Sequence, residues 1–266
     1  MRGLGEIAER LRRSSVQVVM GGRSGGGSGV IWRSDGLVVT NAHVTHRPEA
    51  LVELWDGRSV EARVTARDPR RDLATLRITA TGLEAATPGD STALRPGELV
   101  IAVGSPMGFS GALSTGVVHS IGAQPGMGPQ PWVRADVQLA PGNSGGPLAN
   151  ARGEVIGINT AIAHGLALAV PVNEVARFVE HGPRPSLGVV LRPVPHGLLV
   201  LDIDPEGAAA NVSLRQGDLL IGSFEDLSDA LDSGRDVIPV RFIRGSDPHR
   251  VREVYVRLAR SREAAA

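Results

Sequence analysis

The sequence predicts a mainly β protein, with a large all-β domain built as a barrel or sandwich and a smaller domain behind it. Three observations carry that prediction. Between Ser15 and Ile162 short apolar runs recur, each broken by Gly, Pro or Asp, as short strands joined by tight turns require. The 266 residues include 34 glycines and 18 prolines but only 3% aromatics, so turns are many and the core is aliphatic. Gly182-Pro183-Arg184-Pro185 then interrupts the chain, because two prolines around an arginine cannot continue a helix. This places one domain at residues 1–182 and another at 183–266, both of ordinary size.

Taken in order, the chain opens with a short helix over about 4–13, where Leu4, Ile7, Ala8 and Leu11 fall on one face. Strands are expected at 16–20, 29–32, 37–40, 50–55, 59–66, 73–78, 99–103, 116–121, 133–137 and 155–162, with a further run at 167–171. Residues 172–179 read as a helix before the linker. Gly21–Gly29 lacks the Gly-Lys-Ser/Thr ending of a phosphate-binding loop and reads as a flexible turn.

Composition removes several function classes. The formal net charge is +0 and the 28 basic residues, all arginine, are scattered, so no surface for nucleic acid or an anionic membrane is indicated. With no cysteine there are no disulfides, thiolate chemistry or cysteine metal ligands. His43 and His46 have no third ligand nearby and no His-Glu-x-x-His motif, so no metal is expected, and no other cofactor. No segment reaches the roughly 18–20 apolar residues needed to span a bilayer.

The chemistry is concentrated at Leu139-Ala140-Pro141-Gly142-Asn143-Ser144-Gly145-Gly146-Pro147. Glycines around one serine expose its hydroxyl and allow backbone N–H groups to converge. A serine hydroxyl is a poor nucleophile alone and needs a base and oxyanion donors. Val38–Val44 reads as a buried strand running into His43, and Asp72 heads the apolar segment 73–78. The order His43, Asp72, Ser144 is that of the chymotrypsin-type triad, not of subtilisin or the α/β-hydrolases. Gly142-Asn143-Ser144-Gly145-Gly146 formally fits a hydrolase elbow, but a turn and a strand follow it, where the elbow requires a helix. Asp68 is a rival acid, although Asp68-Pro69 reads as a turn opener. The oxyanion hole is assigned to Gly142, Asn143 and Ser144, principally through the N–H groups of Gly142 and Ser144.

Thr40-Asn41-Ala42-His43-Val44, Asp72-Leu73-Ala74 and Pro141–Leu148 match motifs of the HtrA (Deg) family, and the resemblance spans nearly the whole chain. It implies a chymotrypsin-like double six-stranded β-barrel followed by a small α+β PDZ domain, and it selects Asp72 over Asp68. It implies a serine endopeptidase of unfolded or damaged proteins acting in protein quality control as a homotrimer. Leu139, Ala161 and Ile162 fall where the family lines its primary pocket, which points to cleavage after Val, Ala or Leu, and Thr160 and Ala161 fall where it pairs with the substrate main chain. Asn143 stands where trypsin-like zymogens carry Asp, so activation by N-terminal cleavage is not expected.

Ser186-Leu187-Gly188-Val189 matches the family's carboxylate-binding loop, which implies capture of C-terminal peptides. Asp204–Ala209 and Leu214–Ile221 match further PDZ segments. After Ile221 the chain enters a helix directly, without the family's extra hairpin, so a reduced sheet is expected. The alternatives are a peptide-binding or chaperone-like module with little turnover, and an esterase. As written the sequence reads as soluble and cytoplasmic, or periplasmic if a leader is missing.

Overall fold

The computed structural model describes residues 3–21, 26–105, 111–124, 130–183, 185–205, 207–233, 235–245 and 250–258. Gly22–Gly25 of the glycine-rich segment, Arg184 of the linker and Glu206 lie outside the described residues. The chain divides into two compact units, the second comprising Pro183–Arg262.

The first unit opens with helix α1 (Leu4–Arg13), which buries Ile7 and Leu11 and leaves Leu4 exposed. Strands β1 (Ser15–Val19), β2 (Gly27–Arg33), β3 (Leu37–Thr40), β4 (Glu49–Glu53), β5 (Ser59–Asp68) and β6 (Leu73–Ile78) close into a barrel in the order β1-β2-β3-β6-β5-β4. Strands β7 (Leu99–Gly104), β8 (Ala112–Ala123), β9 (Pro131–Asp136), β10 (Pro147–Asn150), β11 (Val155–Ala163) and β12 (Leu166–Pro171) close a second barrel in the order β10-β11-β12-β9-β8-β7. Closure removes the free edges that short strands would otherwise expose. Helix α2 (Val172–His181) follows.

Strand β10 is absent from the sequence reading. It is only four residues long and opens on Pro147 straight out of a glycine turn, so no apolar run announces it. The glycine-rich segment is a second correction. Gly27, Ser28 and Gly29 are buried strand residues of β2, not a flexible turn. A Cβ on Gly29 would press on Val16 and Val38 at 2.9 Å, and one on Gly27 would lie 2.8 Å from the Ser144 carbonyl oxygen. The glycines there answer to packing inside the barrel, not to chain freedom.

Each barrel fills its own interior, the first around Val18, Ile31, Val38 and Leu76, the second around Val100, Val133, Leu148 and Ile156. A third cluster joins Ile7 and Leu11 of α1, Val39 and Leu73 of the first barrel, Ile101 and Trp132 of the second, and Val175 and Phe178 of α2. Residues 172, 175 and 178 fall on one face at helical spacing, which explains how α2 docks there.

The second unit is a five-stranded sheet in the order β13 (Val189–Val194), β14 (Gly197–Ile203), β15 (Leu219–Leu220), β16 (Val237–Ile243) and β17 (Val251–Arg257), all neighbours antiparallel. Helix α3 (Phe224–Asp232) follows β15 after three residues. Ser223 caps it by accepting the Asp226 N–H, and the Asp226 carboxylate accepts the Ser223 N–H in return. Leu187, Val200, Leu220, Phe242 and Val256 form its core.

Three substitutions test this packing. All three tryptophans, Trp32, Trp55 and Trp132, lie in the first unit, so their fluorescence follows that unit alone during urea unfolding. Phe178→Ala is expected to cost about 3–5 kcal/mol; a loss under about 1 kcal/mol rejects the anchoring of α2 by Phe178. Gly145 has φ +88°, and a Cβ there would fall 2.0 Å from the Ser28 carbonyl oxygen and 2.3 Å from Thr40 Oγ1. Gly145→Ala is therefore expected to cost roughly 2 kcal/mol or more, whereas Gly165→Ala, at a left-handed position with open space, costs roughly 1–2 kcal/mol.

Candidate functional site

Strand β3 ends at Thr40 and turns through a single 3-10 turn, Ala42–Val44, that presents His43 half-exposed between buried neighbours. Arg67 clamps this turn by donating to the Ala42 carbonyl at 2.8 Å. Asp72 stands immediately before β6 in a left-handed conformation, φ +54°. Both of its carboxylate oxygens face His43, one accepting the His43 N–H at 3.0 Å and the other lying 2.7 Å from Nδ1. The proton on Nδ1 is thereby fixed toward Asp72, which leaves the Nε2 lone pair available. The His43 pKa is raised above its usual 6.5, first by the Asp72 hydrogen bond, against the lowering effect of burial and with help from the Asp72 charge. Asp68 is buried and closes its own turn by accepting the N–H groups of Arg70 and Arg71, so it does not serve His43.

Ser144 arrives from the second barrel. Its turn is fixed peptide by peptide. Ser28 Oγ donates to the Gly142 carbonyl at 2.6 Å, and the Ser28 N–H donates to the Ser144 carbonyl at 2.7 Å. The Asn143 carbonyl accepts the Gly146 N–H at 3.0 Å, and a planar peptide then turns the Ser144 N–H to the opposite side. Among the described residues, the N–H groups of Gly142 and Ser144 take no internal partner. Asn143 differs from expectation, because its N–H closes the turn on the Ala140 carbonyl at 3.0 Å and is unavailable to an oxyanion. Gly142 holds φ +103°, which a side chain would resist.

The Ser144 hydroxyl donates to the Thr160 carbonyl at 3.0 Å. That carbonyl is free of the sheet because the β11–β12 register slips between Asn159 and Ala161, leaving Thr160 unpaired with β12. Beyond Ile158 strand β11 also has no pairing with β10, so residues 160–163 offer an open edge. Ala161 and Ile162 lie on this edge, with Ile162 57% exposed, while Leu139 packs against the second barrel's core.

Two participants have no separate signal in the sequence. Fully buried Asn41 donates Nδ2 to the Asp72 carbonyl at 2.8 Å and to Thr160 Oγ1 at 2.9 Å, joining the two barrels beside the site. Ser28, also fully buried, is one serine in a glycine run. Only strand register, with Ser28 opposite Gln17, distinguishes it from a linker residue. No group of three or more His, Asp or Glu suited to a metal ion occurs among the described residues.

In the second unit Ser186, Leu187 and Gly188 immediately precede β13, which Val189 opens. Leu187 is buried and its carbonyl accepts the Ala209 N–H at 2.7 Å. The Gly188 N–H donates to Ser186 Oγ at 2.9 Å, and φ +69° at Gly188 permits its close approach to Gly207.

Residues 27–158 match the trypsin-like peptidase domain family. The chain is 38% identical over 234 residues to a periplasmic serine endoprotease of DegP-like description from Halomonas elongata, covering 77% of this chain and 49% of that protein. It is 37% identical over 221 residues to one from Pseudomonas fluorescens, covering 73% and 46%. The chain thus spans about half the length of the curated relatives it matches. Among solved structures it resembles the HtrA-type protease AlgW with a decapeptide, at 25% identity and TM-score 0.73 over 97% of this chain and 98% of that one. A serine endoprotease from Yersinia pestis gives 26% identity and TM-score 0.73 over the same shares. The chain carries a trypsin-like peptidase domain over residues 27–158 and is similar to DegP-like and HtrA-type serine proteases.

Proposed function

We propose that the chain is a serine endopeptidase in which Ser144, His43 and Asp72 form the catalytic triad. The observation that carries this reading is the two-point contact of Asp72 with His43 beside a turn that presents Ser144 and two unengaged N–H groups. Ser144 Oγ attacks the substrate carbonyl carbon as His43 Nε2 takes its proton. The N–H groups of Gly142 and Ser144 receive the oxyanion, each worth roughly 3–4 kcal/mol in the transition state. His43 then protonates the departing amine, and a water molecule, deprotonated by the same imidazole, releases the acyl group and regenerates the hydroxyl.

A peptide added along residues 160–163 extends β11 with main-chain hydrogen bonds. Its N–H competes for the Thr160 carbonyl, freeing the Ser144 hydroxyl to turn toward His43. The aliphatic set Leu139, Ala161 and Ile162 favours cleavage after Val, Ala or Leu. A substrate must be locally extended to bind this way, so unfolded polypeptides are the expected class.

The domains follow the two units: residues 1–182 as the peptidase and 183–266 as a reduced PDZ-like domain that holds peptide C-termini through the Ser186–Val189 loop. By family likeness the assembly is a homotrimer engaged in protein quality control. No helix among the described residues is long and apolar enough to cross a membrane. The relatives' descriptions favour a periplasmic setting over the cytoplasmic expectation.

Wild-type protein is expected to hydrolyse unfolded casein and to take a fluorophosphonate label on Ser144, while Ser144→Ala does neither. Peptide binding without hydrolysis in the wild type would identify a chaperone-like module instead. Because neutral His43 is the base, kcat/KM rises as pH climbs through its raised pKa, and the midpoint lies above 6.5. Asp72→Asn is expected to lower that midpoint and reduce kcat by about 10⁴-fold. A pH profile that Asp72→Asn leaves unmoved removes Asp72 from the triad.

A further inference from the structure

The turn carrying Asp72 spans Asp68 to Asp72 and is gripped from outside the first barrel. Gln130, just before β9, donates Nε2 to the Arg70 carbonyl at 2.9 Å. Arg71 points inward and is 5% exposed. Its guanidinium stands 3.8 Å from the Asp68 carboxylate and 3.5 Å from Glu174 on α2, itself 6% exposed. Arg177, one turn further along α2, pairs with the other Glu174 oxygen.

A buried ion pair gives little net stability, because desolvation offsets the attraction. The Asp68 turn is also already closed by the backbone N–H groups of residues 70 and 71, without the Arg71 side chain. What the pair supplies is a fixed position. Phe178 and Val175 seat α2 in the cluster between the barrels, so Glu174 is a rigid post. Arg71 ties the residue next to Asp72 to that post. The neighbouring left-handed backbone of Asp72 is less populated than ordinary conformations even for Asp, which tolerates it better than most residues, so an unclamped turn would tend to relax.

We propose that Arg71 and Glu174 are positioning residues whose buried pair clamps the Asp68–Asp72 turn to α2 and so holds the Asp72 carboxylate on His43. This rests on the triad reading above. A displacement of about 1 Å in such a site costs up to about 100-fold in rate.

Two variants of the full chain test the clamp. Glu174→Gln removes the charge with little change of shape. The double variant Arg71→Met with Glu174→Leu replaces the pair by apolar packing, while Asp68 keeps the N–H groups of residues 70 and 71. Both are expected to lower kcat on a fluorogenic peptide about 10- to 100-fold with KM changed less than about 2-fold. In both, the acidic limb of kcat/KM moves to lower pH as His43 loses its partner, and the double variant remains folded at the assay temperature. A folded double variant with wild-type kcat and an unmoved acidic limb overturns the clamp, as does a fall in melting temperature with no kinetic change. If the wild type itself neither cleaves peptide nor labels at Ser144, the triad reading fails, and the clamp falls with it.

Discussion

One buried serine of the first barrel holds the Ser144 turn of the second. Ser28 has no exposed surface, yet its N–H, Oγ and carbonyl are all engaged, to Ser144, to Gly142 and Ser105, and to Thr40. Each such bond adds only about 0.5–1.5 kcal/mol net, but leaving any of these groups unpaired inside the seam costs more. The orientation of the Ser144 turn is therefore tied to the docking of the two barrels. A turn of the sequence Gly-Asn-Ser-Gly-Gly could adopt many shapes in isolation; against Ser28 and the Asn159 carbonyl it has one.

The same logic runs through the rest of the site. Asn41 bridges Asp72 and Thr160, and the Thr160 carbonyl in turn accepts the Ser144 hydroxyl. Asp72, Asn41 and Thr160 are thus linked to one another and to Ser144 across the seam. The interior of each barrel is aliphatic and self-contained, and the cluster shared by α1, both barrels and α2 is what keeps the two halves in register. Packing fixes the halves, and hydrogen bonds at their junction convert that fit into an arrangement of functional groups.

Much of this was legible in the sequence, for identifiable reasons. Strand β3 is a continuous apolar run ending on Thr40, and β6 is apolar at Leu73, Ala74, Leu76 and Ile78, so their limits at 37–40 and 73–78 could be read directly, and they place His43 and Asp72. The two long helices of the first unit show their burial spacing openly. What could not be read depends on contacts distant in the chain. Strand β10 has only four residues and a proline at its head. Ser28 looks like part of a linker until β2 is paired with β1 and β3. Arg71 and Glu174, separated by more than half of the first unit, appear as ordinary surface charges until folding buries both. Asn143 sits between the two expected donors in sequence, but the turn consumes its N–H.

The left-handed backbone at residue 72 has a separate implication for reading related chains. Such a conformation admits Gly, Asn and Asp readily and β-branched residues poorly. Drift at this position is therefore restricted by the shape of the turn as well as by any proton chemistry. A descendant that had abandoned hydrolysis could retain an acidic residue here for steric reasons alone. Its persistence would be weak testimony to a working enzyme, and the fate of the nucleophile would be the better witness.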